Sequence, residues 1–111
     1  MLFRSQGLPH PRVTALAPAR DGSLWVGTDA GVARFDGVRF QAEPLPPGAR
    51  LREQKFAAIL ETPDGRLYAG AEGALFVGRA GQLVRHPDSN SLGDAPILGL
   101  VEHEHAIWML T

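Results

Sequence analysis

The stretch D-G-S-L-W-V-G-T-D-A-G-V-A-R-F, from Asp21 to Phe35, returns along the chain as D-G-R-L-Y-A-G-A-E-G-A-L-F-V, from Asp64 to Val77. Asp-Gly recurs after 43 residues, and so does the aromatic, from Trp25 to Tyr68. Gly27 returns as Gly70, and Gly31 returns as Gly73 after the loss of one residue. A third copy, I-W-M-L-T, places Trp108 40 residues after Tyr68, with Glu104-His105 where Asp-Gly stood. An apolar strand precedes each copy: Val13 to Ala17, Ala57 to Glu61 and Ile97 to Val101. A fixed period of this length marks a chain assembled from one supersecondary unit.

The residues of the unit specify short antiparallel strands. Asp-Gly between two apolar runs is a hairpin signal, because both residues tolerate the positive φ of tight turns. Leu24 to Gly27 is apolar on both faces, so the strand must be covered on both sides. The glycine after the aromatic lets a neighbouring side chain approach the backbone closely. Gly31 and Gly73 mark a second turn, before strands at Val32 to Phe35 and Ala74 to Val77. Outer strands fit Val38 to Phe40 and Gln82 to Arg85. Four antiparallel strands in about 40 residues make one blade of a β-propeller. The expected fold is therefore all-β, a partial propeller of about two and a half four-stranded antiparallel blades. Residues 1–7, with Leu2-Phe3-Arg4, read as the outer strand of a preceding blade. Residues 8–48 form blade one, 49–88 blade two, and 89–111 the first half of blade three.

One stretch argues against this pattern. Ala49 to Thr62 has no Gly or Pro and is rich in helix formers, so propensity alone predicts an amphipathic helix. The repeat gives Ala57 to Glu61 the role of Val13 to Ala17, a strand, and tertiary context routinely overrides propensity. The strand is the favoured reading, with room for a helical turn around Arg50 to Gln54.

Bulk properties exclude several classes of protein. Hydrophobic residues make up 44% of the 111, too many for a disordered tail. A net charge of −1 creates no field to recruit nucleic acid or an acidic membrane surface. No run approaches the roughly 20 apolar residues needed to span a bilayer. The first seven residues, Met1 to Gly7, carry no apolar signal core. With no cysteine, disulfide scaffolds, thiol catalysis and thiolate metal sites are excluded.

Leu8 to Gly37 resembles the two-component regulator propeller repeat. The likeness rests on Gly7-Leu8-Pro9, the D-G-S-L-W-V-G-T run from Asp21 to Thr28, and G-V-A-R-F-D-G from Gly31 to Gly37. The second copy replaces Thr28 by Ala71 and Asp36-Gly37 by Gly78-Arg79; the third keeps Trp108 and Thr111. The resemblance implies an extracytoplasmic, periplasmic sensor propeller of the kind carried by bacterial histidine kinases, hybrid two-component proteins and diguanylate cyclases. It also implies a membrane-bound parent protein. Propellers close with about 4 to 8 blades and this chain supplies a little over two, so it reads as a fragment of a longer protein or a truncated gene product, with an oligomer that completes the ring from several chains as the alternative. The expected partners are the remaining blades of that parent, together with a small-molecule or oligosaccharide ligand. No nucleic acid is expected. Unclosed, the end blades expose apolar faces and strand edges, so the isolated chain is expected to self-associate or remain molten.

Few residues suggest chemistry. His103-x-His105 would project two rings to one face of a strand, as metal sites often need. The repeat instead puts Glu104-His105 at a solvated hairpin turn, and no metal site is expected. Trp25, Tyr68 and Trp108 hold one repeat position, which reads as packing between blades over a sugar-stacking platform. Asp21 and Asp64 read as turn residues. Ser5, Ser23, Ser89 and Ser91 have no recognisable base partner, and no phosphate-binding or nucleophile motif occurs. No catalytic residue and no cofactor are therefore expected. A binding surface, if present, belongs on the interblade loops at one end, which makes Arg12, Asp29, Lys55 and Glu72 the candidate ligand-binding residues. Three functions fit: a non-catalytic sensor segment of a signalling protein, a protein- or carbohydrate-binding scaffold without a signalling role, and part of a propeller lyase.

Overall fold

The computed structural model describes residues 12–46, 55–93 and 95–111. Among these residues ten strands follow one another in antiparallel order: β1 (Val13–Pro18), β2 (Leu24–Thr28), β3 (Gly31–Phe35), β4 (Phe40–Ala42), β5 (Phe56–Glu61), β6 (Leu67–Ala71), β7 (Ala74–Gly78), β8 (Val84–Arg85), β9 (Gly99–His103) and β10 (Ala106–Leu110). They form two four-stranded sheets, β1-β2-β3-β4 and β5-β6-β7-β8, and a hairpin of β9 and β10. The protein is a partial β-propeller of two and a half blades. The strand favoured for the helix-prone stretch is present as β5, and the helical turn considered at Arg50 to Gln54 lies outside the described residues. So does the strand expected at Leu2 to Arg4.

The Asp-Gly hairpins close in the same way in blades one and two. Gly22 donates to the Ala19 carbonyl at 3.2 Å and Ala19 to the Ser23 carbonyl at 2.9 Å. In blade two Gly65 and Thr62 repeat both bonds at 2.9 Å. Only the glycine takes a positive φ, +92° at Gly22 and +88° at Gly65. The aspartate supplies hydrogen bonds instead: Asp21 Oδ1 accepts from the Ser23 backbone N–H at 2.9 Å and from its hydroxyl. In blade three the turn shortens to Glu104 and His105, whose φ values of 51° and 64° are left-handed. Each costs roughly 1 kcal/mol for a residue with a Cβ.

Each outer strand departs from its expected span. Val38 is 84% exposed and lies in a turn, not a strand, because Asp36 Oδ1 accepts from the backbone of Val38 at 2.8 Å and Arg39 at 3.0 Å. That bond pair pins the Asp36-Gly37 loop and delays β4 to Phe40. In blade two, β8 keeps only Val84 and Arg85. A 3-10 helix at Pro87–Ser91 then covers the open edge of β7. Buried Ser89 takes the place of a strand: its hydroxyl accepts from Leu75 N–H at 2.9 Å and donates to the Leu75 carbonyl at 3.3 Å.

The blades pack face to face, and the core lies in the seams between them. Here the front of a blade denotes its face toward the following blade. Trp25, Val32 and Ala17 on the front of blade one meet Phe56, Ile59, Leu67, Ala69 and Phe76 on the back of blade two. A second cluster joins Ala58, Leu75 and Tyr68 of blade two to Ile97 and Leu100. Trp25 and Val26, neighbours on one strand, are both almost fully buried, so β2 is covered on its two faces. Gly27 and Gly70 are the points of closest approach. A methyl on Gly27 would lie 3.3 Å from Phe56 Cβ, and one on Gly70 only 2.5 Å from Ile97 Cγ2. Phe56 and Ile97 are thus equivalent knobs seated in equivalent glycine slots.

Candidate functional site

The four loop candidates are two copies of one pair. Arg12 and Lys55 are 43 residues apart, and so are Asp29 and Glu72. Val13 pairs with Thr28 and Phe56 with Ala71, so each basic residue stands beside its acidic counterpart at the same end of the blades. In blade one the pair forms: Arg12 Nε lies 3.6 Å from Asp29 Oδ2. It is largely exposed, and such pairs contribute roughly 0–1 kcal/mol. Lys55 is exposed and makes no ion pair with Glu72 among the described residues. Glu72 is instead bridged through its backbone to Pro96. The structure brings together Arg12 with Asp29 and leaves Lys55 and Glu72 as neighbours in register. With two charges of each sign, this end of the blades carries no net field from the four residues.

Beneath these loops the motif threonine is structural. Thr28 is fully buried, accepts from Ala30 N–H at 3.1 Å and donates to the Gly31 carbonyl at 2.9 Å. It locks the β2–β3 turn that presents Asp29.

The opposite end carries features that the sequence alone did not reveal. Glu61, the last residue of β5, reaches back across the first seam. Its Oε1 accepts from the Arg20 backbone at 2.7 Å and from the Trp25 indole at 3.3 Å. Register makes Glu102 the equivalent of Glu61, since Trp25 pairs with Ala17, Tyr68 with Leu60 and Trp108 with Val101. At the second seam, however, Pro63 replaces Arg20 and offers no N–H. A cleft of about 280 Å³ remains there, lined by Thr62, Asp64, Arg66, Tyr68, Glu102, His105 and Ile107. The signal in the sequence was the proline itself, visible only once the register is known. A second cleft of about 240 Å³ lies between the outer strands of blades one and two, where Glu43 accepts from the Gly81 backbone.

Electrostatics at these turns follow from local hydrogen bonds. Donation from the Ser23 side chain and backbone holds Asp21 below the ordinary carboxylate value. The Arg39 and Val38 backbone N–H groups do the same for Asp36, and the Thr62 hydroxyl for Asp64. Glu43 moves the other way, because partial burial disfavours its charged form. Glu104 and His105 form the β9–β10 turn, and His103 Nε2 lies 3.8 Å from Glu104 Oε1. Among the described residues no group of three or more His, Asp or Glu side chains is placed to hold a metal ion. Ser23 and Ser91 are engaged locally, Ser91 donating to the Asp88 carbonyl at 2.8 Å.

Comparison with known proteins bears on this repeated blade. Residues 7–30 match the two component regulator propeller family. The matched residues hold the Asp-Gly hairpin, Trp25, Gly27 and Thr28, whose roles in turn and seam are described above. The fold is similar to that of the extracellular domain of a putative hybrid two component system from B. thetaiotaomicron, with a TM-score of 0.56 and 19% identity. That likeness covers 96% of this chain and 21% of the other, so this chain spans about a fifth of its length. No curated protein matches the chain. No helix among the described residues is long and apolar enough to cross a membrane.

Proposed function

We propose that this chain is a non-catalytic sensor segment of a two-component or related signal-transduction protein. In that role, binding of a ligand or partner at the propeller biases the state of a catalytic domain elsewhere in the parent protein. The observation that carries the reading is the two component regulator propeller repeat at residues 7–30, set in a fold similar to the extracellular domain of a hybrid two-component system. The polarity of the site supports binding over chemistry. Asp21, Asp36 and Asp64 are engaged in turns, and the cleft that gathers Asp64, Glu102 and His105 is open and polar, as a binding surface is. Ligand contact falls to the interblade loops carrying Arg12, Asp29, Lys55 and Glu72, held on rigid strands by turns such as that locked by Thr28. The remaining blades of the parent complete the surface, and the propeller works on the extracytoplasmic side of the membrane.

The test uses the parent protein. Its coding region is read for a membrane span and a kinase or cyclase domain, and the periplasmic position of the propeller is checked with a phosphatase fusion. Arg12→Ala with Asp29→Ala, and Lys55→Ala with Glu72→Ala, are then assayed for stimulus-dependent output. Loss of response with unchanged basal output supports the reading. A parent made of propeller alone, or a phosphatase fusion active only inside the cell, overturns it.

A further inference from the structure

The two seams treat one carboxylate in opposite ways. At the first, Glu61 Oε1 accepts from two donors of blade one, the Arg20 backbone N–H at 2.7 Å and the Trp25 indole at 3.3 Å. Arg20 is free to donate because it is the second residue of the turn at residues 19–22. The closing bond of that turn runs from Gly22 to Ala19 and leaves the Arg20 N–H unused. At the second seam Glu102 holds the same register position, and both donors are gone. Pro63, second in the turn at residues 62–65, has no N–H, and Tyr68 stands where Trp25 carries its indole. Glu102 makes no hydrogen bond or ion pair among the described residues. In place of the donors is the cleft of about 280 Å³, walled by the turn of blade two and the hairpin of blade three.

The charges around the cleft do not balance. Asp64 accepts from the Thr62 hydroxyl and lies in the field of Arg66. Two carboxylates, Asp64 and Glu102, therefore face one guanidinium, and the Glu102 charge is the one left over. Tyr68 and Ile107 add apolar surface to the same walls. We propose that this cleft binds a small organic cation through an N–H-bearing head, a primary ammonium or guanidinium group, with Glu102 as its counter-charge. The head takes the place that the Arg20 and Trp25 N–H groups fill at the first seam, and its charge-assisted bonds are stronger than those neutral ones. A cation near the face of Tyr68 gains further attraction from the ring. The volume falls just below the roughly 300–1,000 Å³ of drug-sized sites, which suits a head with a short aliphatic tail. The site lies at the opposite end of the blades from Arg12, Asp29, Lys55 and Glu72, and binding there is independent of the signalling role.

Proline also suits the second position of a turn for its φ alone, so the deciding variants are those that return the lost donors. Calorimetry and saturation-transfer NMR are run on the parent protein with methylguanidinium, n-butylammonium and tetramethylammonium, the last a cation without an N–H. The first two are expected to bind with dissociation constants of roughly 1 mM, and tetramethylammonium about tenfold more weakly. Glu102→Gln, at an exposed position, should weaken methylguanidinium binding by about tenfold. Pro63→Ala, also exposed, returns only the backbone N–H and should weaken it by about threefold. Adding Tyr68→Trp, which returns the indole, should bring the loss to about tenfold. Circular dichroism confirms that each variant is folded, and Arg12→Ala at the far end should bind as wild type does. A capped tripeptide with a central arginine separates the sources of the cation. Binding tighter than methylguanidinium assigns the head to a protein side chain, and weaker binding assigns it to a free solute, each within the cation site proposed. Absence of methylguanidinium binding, equal binding of tetramethylammonium, or affinity unchanged by Glu102→Gln or by the donor-restoring pair would overturn the proposal.

Discussion

Gly70→Ala probes the seam where its geometry is most exacting. The new methyl would lie 2.5 Å from Ile97 Cγ2 and 2.8 Å from Ile97 Cβ. Ile97 is fully buried and cannot swing outward. Its backbone is also held, because Ile97 N–H bonds the Ala71 carbonyl at 3.2 Å and Gly73 N–H bonds the Ala95 carbonyl at 2.8 Å. The clash is therefore relieved only by parting the seam, and overpacking of this kind costs roughly 1–3 kcal/mol. Gly70 has no positive φ, so alanine fits the backbone and regains roughly 0.5–1 kcal/mol of strand preference. The net loss is about 1–2 kcal/mol, a five- to thirtyfold fall in the folded ratio. Gly27→Ala meets Ala15, Ile59 and Phe56 at 3.0 to 3.3 Å and should lose less. Ile97→Ala alone costs about 2–5 kcal/mol through its cavity. In the double variant the methyl at residue 70 occupies part of that cavity, so the combined loss falls short of the sum by about 1 kcal/mol. Urea unfolding followed by circular dichroism measures all four values. Gly70→Ala at or above wild-type stability, or strict additivity with Ile97→Ala, would refute the knob-in-slot account.

Thr28→Val keeps the shape of a fully buried side chain but strands Ala30 N–H and the Gly31 carbonyl, a loss of roughly 1–3 kcal/mol. Thr28→Ser keeps both bonds and should lose about 1 kcal/mol or less; equal melting temperatures for the two variants would show that the hydroxyl does not hold the turn. Acid should destabilise the fold through Asp21, Asp36 and Asp64, whose folded values are depressed. Their contribution is present above the ordinary carboxylate value of about 4 and is lost as pH falls through the folded values. Glu43 acts in the opposite sense, its raised folded value contributing stability at low pH that is lost as pH rises through that value. Glu43→Gln, which keeps an acceptor for Gly81, should therefore gain on wild type between about pH 4 and about pH 7, and parallel stability profiles over that range would count against the assignment.

The sequence disclosed those features that repetition enforces. Trp25, Gly27 and the Asp-Gly turns recur at one interval because each blade meets its neighbour in the same way. Their positions alone were enough to predict strands, turns and the close approach at the glycine. What escaped the reading depends on single side chains acting on the backbone. Asp36 captures two N–H groups and moves Val38 out of the strand. Ser89 bonds both backbone groups of Leu75, so a serine and a 3-10 helix stand where a longer β8 was expected. The inner strand of blade three also begins at Gly99, later than Ile97, because Ile97 bonds across the seam to Ala71 and leaves its own sheet. Of the site, the loop positions were legible from topology. Their pairing was not, because it needs the register that sets Arg12 beside Asp29 and Lys55 beside Glu72.

Apart from the loop charges Arg12, Asp29, Lys55 and Glu72, positions that obey the repeat are explained by turn and seam. Beside those loops, the repeat is broken at several positions of the second seam and blade three. Pro63 removes the donor that Arg20 gives Glu61, which leaves Glu102 without that partner beside an open polar cleft. Gly99 and Leu110 exchange small for large on the adjoining face. Glu104 and His105 replace Asp-Gly at the cost of two strained backbone conformations. All of these lie at the second seam or on blade three. Other breaks fall in blade two, where Ala71 replaces Thr28 and Gly78-Arg79 replaces Asp36-Gly37. The first seam, with Glu61 bridging Trp25 and Arg20 and with Phe56 over Gly27, is the reference against which each departure can be measured.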